Sequence, residues 1–289
     1  MADRDDQGRK RGRRAPWLLL APGLLFLFFF FFFPLYTLFR MSLSATPKRF
    51  LPPVFNWEWS NYSNAFSQYG DQFLRSFEYA ALATLLALVI AYPLAYVIAF
   101  RGGRFKSVLL GLVVVPFFTN FLIRTLAWKT IVGDQGVVVG LLRDVGILGS
   151  NGTLLRTPIA VIGGLTYNFL PFMVLPIYVA LEKIDPRLID AARDLYSNTW
   201  RAFRKIVFPL SLPGVFAGSL LVFIPAAGDF VNAQFLGSTK TRMIGNVVQD
   251  QFLVQLDYPV AAALSFVFMA IVMVLVIVYA RILGTEDLA

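Results

Sequence analysis

Residues Glu182 to Pro209 read EKIDPRLIDAARDLYSNTWRAFRKIVFP, a polar, charge-rich interval set between two apolar runs. Asp185 is a good helix N-cap, and Pro186 suits the first helical position, where a missing N–H is no loss. From there Leu188, Ala191, Ala192 and Leu195 recur at i, i+3, i+4 and i+7 and so form one apolar stripe. The small alanines at its centre let another surface approach closely. Asn198 can cap a second helix in which Trp200, Phe203 and Val207 share a face, while Arg201, Arg204 and Lys205 point elsewhere and Pro209 ends it. The pattern predicts two short amphipathic helices. Such a pair can lie on lipid headgroups with its basic residues as anchors, or seat against another protein.

The flanking runs set the fold class. Of 289 residues, 57% are hydrophobic and 15% charged, too apolar a balance for a soluble domain of that length. Hydropathy predicts helices near 17 to 40, 74 to 100, 107 to 129, 157 to 181, 211 to 229 and 259 to 283, each able to cross a hydrocarbon layer of ~30 Å. The expectation is an all-α, polytopic membrane protein with six transmembrane helices. It divides into a basic tail (1–16), a first helix with its outer loop (17–73), a five-helix core (74–283) carrying the interval at 182–209, and a short tail (284–289).

Charge gives the orientation. Six Lys and Arg precede the first helix, three lie in Arg101 to Lys106 and six in Lys183 to Lys205. These are alternate loops, so they share one side, and the positive-inside rule makes that side, with both termini, the cytoplasm of a prokaryotic plasma (inner) membrane. The basic residues before Trp17 resemble a signal peptide, but Trp17 to Phe39 exceeds a signal core and no A-x-A site follows, so an uncleaved first helix is expected. Its block Phe28 to Phe33 has no preferred face, as suits a helix surrounded by lipid. The opposite loops are poor in positive charge. One carries Trp57, Trp59 and Tyr62, which read as an interfacial aromatic belt in preference to a ligand platform.

Several chemistries are excluded. With no Cys and no His the chain cannot build a Cys/His metal site, thiol catalysis or a histidine triad. No G-x-x-x-x-G-K-[ST] loop is present, so Walker-type ATP hydrolysis does not belong to this chain. The net charge of +9 fits cytoplasmic anchoring loops, and no nucleic-acid partner is expected. An ion-coupled secondary transporter or channel is a competing reading, but the spans hold few acids and show no inverted repeat. No set of paired intramembrane carboxylates supports a hydrolase.

Asp190-Ala191-Ala192, then Tyr196, Ile206 and Pro209, resemble the EAA loop of ABC importer permeases: E-A-A, three residues, Gly, nine residues, I-x-L-P. Asp190 stands for Glu, Tyr196 for Gly and Phe208 for Leu. Glycine would allow a left-handed turn between the two helices, which Tyr would strain unless Asn198 takes over the turn. Segments Pro116 to Trp128, Tyr167 to Asp185, Phe223 to Gly237 and Met243 to Phe252 extend the likeness over nearly all of 74 to 283 and narrow it to permeases of spermidine/putrescine importers. Related permeases serve opines, other cations and other solutes.

What the resemblance implies is a type I ABC importer permease (MetI-like) core whose loop plugs into a separate ATPase. The implied machine has a homologous second permease, two ATPase subunits that hold ATP and Mg, an extracytoplasmic solute-binding protein and a polyamine substrate. The implied coupling residues are Asp185, Leu188, Asp190, Ala191, Ala192, Leu195, Tyr196, Trp200, Phe203, Ile206 and Pro209. This chain has no catalytic residue, metal or cofactor of its own.

A polycation crossing the bilayer needs carboxylates, carbonyls or ring faces. Asp229, after Pro225 and Gly228, with Phe230 beside it, is one candidate, and Glu78, Tyr92, Tyr96, Tyr167 and Asn168 are others. Each has a plainer reading. Asp229 can cap a broken helix or pair with Arg124, and the tyrosines can make ordinary interhelical hydrogen bonds. Arg124 and Lys129 are expected to snorkel from an outer helix end.

Overall fold

The computed structural model describes residues 19–45, 52–149, 151–185, 187–188, 190–191 and 198–282. In chain order the helices are α1 (Leu19–Ser42), α2 (Ser60–Arg101), α3 (Lys106–Val114), α4 (Phe121–Ile131), α5 (Val137–Asp144) and α6 (Pro158–Glu182). Then come α7 (Thr199–Ala202), α8 (Phe208–Ala227), α9 (Val231–Leu236), α10 (Ile244–Leu253) and α11 (Tyr258–Ile282). Strands β1 (Ser44–Ala45) and β2 (Val54–Phe55) pair antiparallel, Ser44 opposite Phe55. The all-α expectation holds. Among the described residues five helical segments are long and apolar enough to span a membrane, six when the bent pair is taken as one span. The tails 1–16 and 284–289, and Pro186, Ala192, Leu195 and Tyr196 in the polar interval, lie outside the described residues.

Three expected boundaries are corrected. The helical run of α2 begins at Ser60, ahead of 74, but it is broken at Tyr69 (φ −122°), which separates a polar first part from the apolar span that follows. The third span is not continuous over 107 to 129. It is Gly103–Phe118 followed by Phe121–Ile131, bent by 98°. Pro116 cannot continue the ladder, Thr119 is extended, and the Asn120 side chain accepts from the Leu122 and Ile123 amides to start α4. Hydropathy averages over such a break. The fifth span begins ahead of 211, since Trp200–Ala227 is one helical run.

Cα packing separates one unit, Met1–Ser67 with Gln251–Val267, from a second, Gln68–Asp250 with Phe268–Ala289. In the first, none of the most apolar window of α1 is buried, as the lipid-facing reading requires. Its outer hairpin is tied down by the Asn61 side-chain amide, which donates to the carbonyls of Ser42 and Ser44, and by the hydroxyl pair Ser42–Tyr62 at 2.6 Å. Trp57, at φ +57°, and Trp59 stack at 6.4 Å and stay exposed, as a belt residue would.

The second unit carries the core. Ala80, Ala83, Ala87, Ala91 and Ala95 form one fully buried stripe along α2. In lipid no hydrophobic effect draws helices together, so small residues that permit close van der Waals approach take over that task. Facing elements follow the same rule. Along α6, Val161, Leu165, Met173, Ile177 and Leu181 are buried, and α8 meets them through Gly214 and Gly218. A Cβ at Gly214 would lie 2.5 Å from the Ala180 Cβ, and one at Gly218 2.9 Å from the Met173 sulfur. Either substitution would wedge α6 from α8.

Candidate functional sites: the 182–209 interval and a buried polar chain

The first capping expectation is met. The Asp185 carboxylate accepts from the Arg187 amide at 2.9 Å, and Leu188, Asp190 and Ala191 are helical and exposed. Further on, the Asn198 side chain accepts from the Trp200 amide at 2.8 Å and its carbonyl from the Ala202 amide at 3.1 Å. One expectation fails. Pro209 does not end the second helix. A π-helical stretch, Phe203–Val207, joins α7 to α8, the Phe208 amide donating to the Phe203 carbonyl, and Pro209 sits in the first turn of α8, where it needs no partner. Trp200 and Phe203 lie side by side with their rings stacked at 5.4 Å, and burial increases from Trp200, 65% exposed, through the partly buried Phe203 and Ile206 to the buried Val207.

The interval and the turn at Arg101 to Lys106 lie at the same end of the second unit, as the charge count expected. Lys106 pairs with Glu182 at 3.4 Å. The Phe203 ring meets those of Tyr92 at 5.7 Å and Tyr96 at 6.0 Å. Gly103, at φ +47°, makes the sharp exit from α2 that an L residue would resist.

About 16 residues along α8 from Ser211, roughly 25 Å at 1.5 Å per residue, lies a second constellation. Arg124 is 7% exposed. Its Nε donates to Asn168 Oδ1 at 2.7 Å and its Nη1 to the Pro116 carbonyl at 3.0 Å, an oxygen at the bend that also accepts from the Thr119 amide at 3.3 Å and from the Thr119 hydroxyl. Asn168 Nδ2 donates to Thr125 Oγ1 at 3.1 Å and to Asn232 Oδ1 at 2.9 Å. The Asn232 amide donates to Asp229 Oδ1 at 2.7 Å. Asn246 Nδ2 donates to the Phe230 carbonyl at 2.8 Å, and the Ile244 amide to Ser76 Oγ at 2.7 Å. The chain from Pro116 to Asp229 thus joins both limbs of the bent span to α6 and α9, and separate bonds tie α10 to Phe230 and to Ser76 of α2.

Arg124 therefore turns inward and does not snorkel: the bend offers it a carbonyl and Asn168 a carboxamide, so its charge is solvated inside. Asp229 lies two residues beyond α8, outside the spans, and caps the next turn, the plainer of its two readings. Its link to Arg124 runs through Asn168 and Asn232, not by direct pairing. Burial pushes its carboxyl up to about 6, with hydrogen bonds from Asn232 and Ala233 acting against that rise.

The remaining candidates do not gather around it. Tyr167 is 38% exposed and stacks on Trp128 at 5.3 Å, and Phe230 is 39% exposed. Glu78 is exposed along α2. Tyr92 shares a hydrogen bond with Ser211 at 2.7 Å, an interhelical bond of the ordinary kind, and Tyr96 packs on Phe100 at 4.9 Å. Sequence reading missed Asn232, Asn246, Thr125 and Ser211. Their signal is weak, because a single uncharged polar residue in an apolar stretch does not announce its partner.

Relatives share most of this chain. The family model described as binding-protein-dependent transport system inner membrane component matches residues 83–284. The spermidine/putrescine transport system permease protein PotB of Haemophilus influenzae is 41% identical over 222 residues, 76% of this chain and 78% of that one. PotB of Escherichia coli K12 is 39% identical over 213 residues, 74% and 78%. The inner membrane ABC transporter permease protein YdcU of the same organism is 30% identical over 231 residues, 75% and 72%. In fold, the chain superposes on the crystal structure of a bacterial ABC transporter involved in the import of the acidic polysaccharide alginate, with a TM-score of 0.71, 17% identity and coverage of 98% of this chain and 99% of that one. It also matches a bacterial alginate ABC transporter in complex with alginate pentasaccharide-bound periplasmic protein, with a TM-score of 0.69 at 17% identity, covering 96% and 98%. A bundle of apolar helices matched over 83–284 and at 41% identity across three quarters of its length places this chain in the family of binding-protein-dependent transport system inner membrane components, multi-pass transport permeases and not enzymes.

Proposed function

We propose that this chain is one permease subunit of an ATP-driven importer whose solute is a polyamine, delivered by an extracytoplasmic binding protein. The observation that carries the solute class is 39–41% identity to the two PotB permeases over three quarters of the chain. The energy comes from a partner ATPase, which holds ATP and Mg, seated on the 182–209 interval. Supporting this, Leu188, Asp190, Ala191 and Trp200 are presented outward at the end that carries the basic turn. That end is the cytoplasmic one. A homologous second permease and two ATPase copies complete the assembly. Co-purification with the ATPase, followed by ATP hydrolysis measured with spermidine, putrescine and an opine, tests the reading. Stimulation by the opine alone refutes the solute class.

Asp229 supplies the one buried carboxylate that an ammonium could approach, while Phe230 and Tyr167 offer half-exposed rings as separate contacts along the path, not as one cluster with it. Asn168, Tyr92 and Tyr96 serve as scaffold, and Glu78 is an outer approach residue. In Asp229→Asn the amide oxygen can still accept from Asn232, so only the charge is removed. Polyamine uptake by the assembled transporter should fall about tenfold, a loss of about 1.4 kcal/mol of binding. Unchanged uptake would take Asp229 out of the path.

A further inference from the structure

At the junction of α7 and α8 the backbone is weakest where the side chains are most crowded. Over Phe203–Val207 the α-ladder gives way to π turns, so α7 is joined to α8 through a stretch whose hydrogen-bond register is already interrupted. Such stretches are points of bending. Phe203, the first residue of that stretch, packs its ring against four others: Trp200 at 5.4 Å, Tyr92 at 5.7 Å, Tyr96 at 6.0 Å and Phe208 at 6.2 Å. Two of the four belong to α2. Tyr96 continues the contact to Phe100 near the end of that helix.

Tyr92 is also tied to α8, through its hydrogen bond with Ser211 at 2.7 Å and its ring contact with Phe208 at 5.8 Å, both beyond the π turn. Trp200, one turn earlier, is directed outward. Phe203 is thus the ring through which a displacement of α7 reaches α2 without passing along the compliant backbone.

We propose that Phe203 is a positioning residue, a pin that makes α7 and the Tyr96–Phe100 end of α2 move as one body about the fixed Tyr92 contact, while the π turn flexes against α8. This rests on the coupling role given above to residues 182–209. It reassigns Phe203 from the surface that meets the ATPase to the joint that passes its motion on.

The cysteine-free sequence makes the test clean. Spin labels are placed at Arg101→Cys and Arg201→Cys, both exposed, in the assembled transporter in proteoliposomes. The distance between them is measured with and without a non-hydrolysable ATP analogue, alongside spermidine imported per ATP hydrolysed. In the parent the distance stays fixed. In Phe203→Ala it becomes nucleotide-dependent, and import per ATP falls about tenfold. Phe203→Tyr, which keeps the ring, restores both. Phe203→Leu, which keeps apolar volume without a ring, carries the same expectations should the alanine variant fail to accumulate. A parent distance that shifts with nucleotide overturns the pin, as does a fixed distance in both ring-less variants. Loss of the ATPase from those variants on pull-down overturns it too, returning Phe203 to the docking surface. If the ATPase fails to associate even with the parent, the coupling reading falls and the pin with it.

Discussion

The two ends of the second unit are held together by different chemistry. Around Phe203 the contacts are ring on ring, with Tyr92–Ser211 as the hydrogen bond that touches the cluster and the exposed Lys106–Glu182 pair at the same end. Around Asn168 they are directional hydrogen bonds in a buried setting, running from the Pro116 carbonyl through Arg124, Asn168 and Asn232 to Asp229. Aromatic pairs are worth about 0.5–1.5 kcal/mol each and tolerate a range of tilts. Buried polar chains are less forgiving, since each member left without its partner costs a full desolvation penalty. The ring-held end can therefore roll while the hydrogen-bonded end keeps its geometry, the arrangement expected of a lever with a fixed seat.

Asn168→Leu attacks the seat and should have the largest effect. It strips Arg124 of its Nε acceptor and Asn232 of its donor, leaving a buried guanidinium with the Pro116 carbonyl as its remaining hydrogen bond, and should cost about 3 kcal/mol of stability. Hydrogen bonds between membrane helices average nearer 0.6 kcal/mol because the separated helices find other partners, but that average describes neutral pairs, not a buried cation. Thermal unfolding in detergent measures it. A loss no greater than that of a single neutral hydrogen bond would mean that the chain is decorative. Asn120→Ala attacks the same end more gently. Two amides at the start of α4 lose their cap, and stability should fall by about 1 kcal/mol, seen as faster amide exchange at Leu122 and Ile123. No change there would show that the 98° bend is held by Arg124 and Pro116 without Asn120.

The difference between the ends also explains what the sequence disclosed. Helix class, number of spans and the shared end of the basic turn at Arg101 to Lys106 and the 182–209 interval follow from composition and charge, quantities summed over many residues. The Asp185 and Asn198 caps were legible because capping is local. Pro209 misled because a proline reads as a stop, whereas a π turn just before it had already shifted the ladder. The bend at Thr119–Asn120 was missed although Pro116 and Asn120 are both on view, because a hydropathy window gives two phenylalanines more weight than one cap. Arg124 was misplaced for a different reason. Whether a cation turns outward or inward depends on partners 44 residues away at Asn168, and no local pattern carries that distance. Asp229 was read correctly as a cap and incompletely as a neighbour of Arg124, since the two asparagines that join them are unremarkable in sequence.

Tyr92→Phe is the finest probe of the contrast. It deletes the hydroxyl that Ser211 shares at 2.7 Å and leaves the ring in place against Phe203 and Phe208. If rings hold this end, the loss should be about 0.6 kcal/mol, the usual value of one neutral hydrogen bond between membrane helices. Ser211→Ala should cost about the same, and the double variant little more than either alone, because the two hydroxyls have only one bond to lose. The Ser211 hydroxyl also reaches the Phe208 carbonyl at 2.8 Å, so it is not stranded when Tyr92 loses its oxygen. A Tyr92→Phe penalty equal to that of Asn168→Leu would mean that both ends are pinned by hydrogen bonds. The ring cluster would then have no freedom to roll, and the lever would have to bend within the π turn alone.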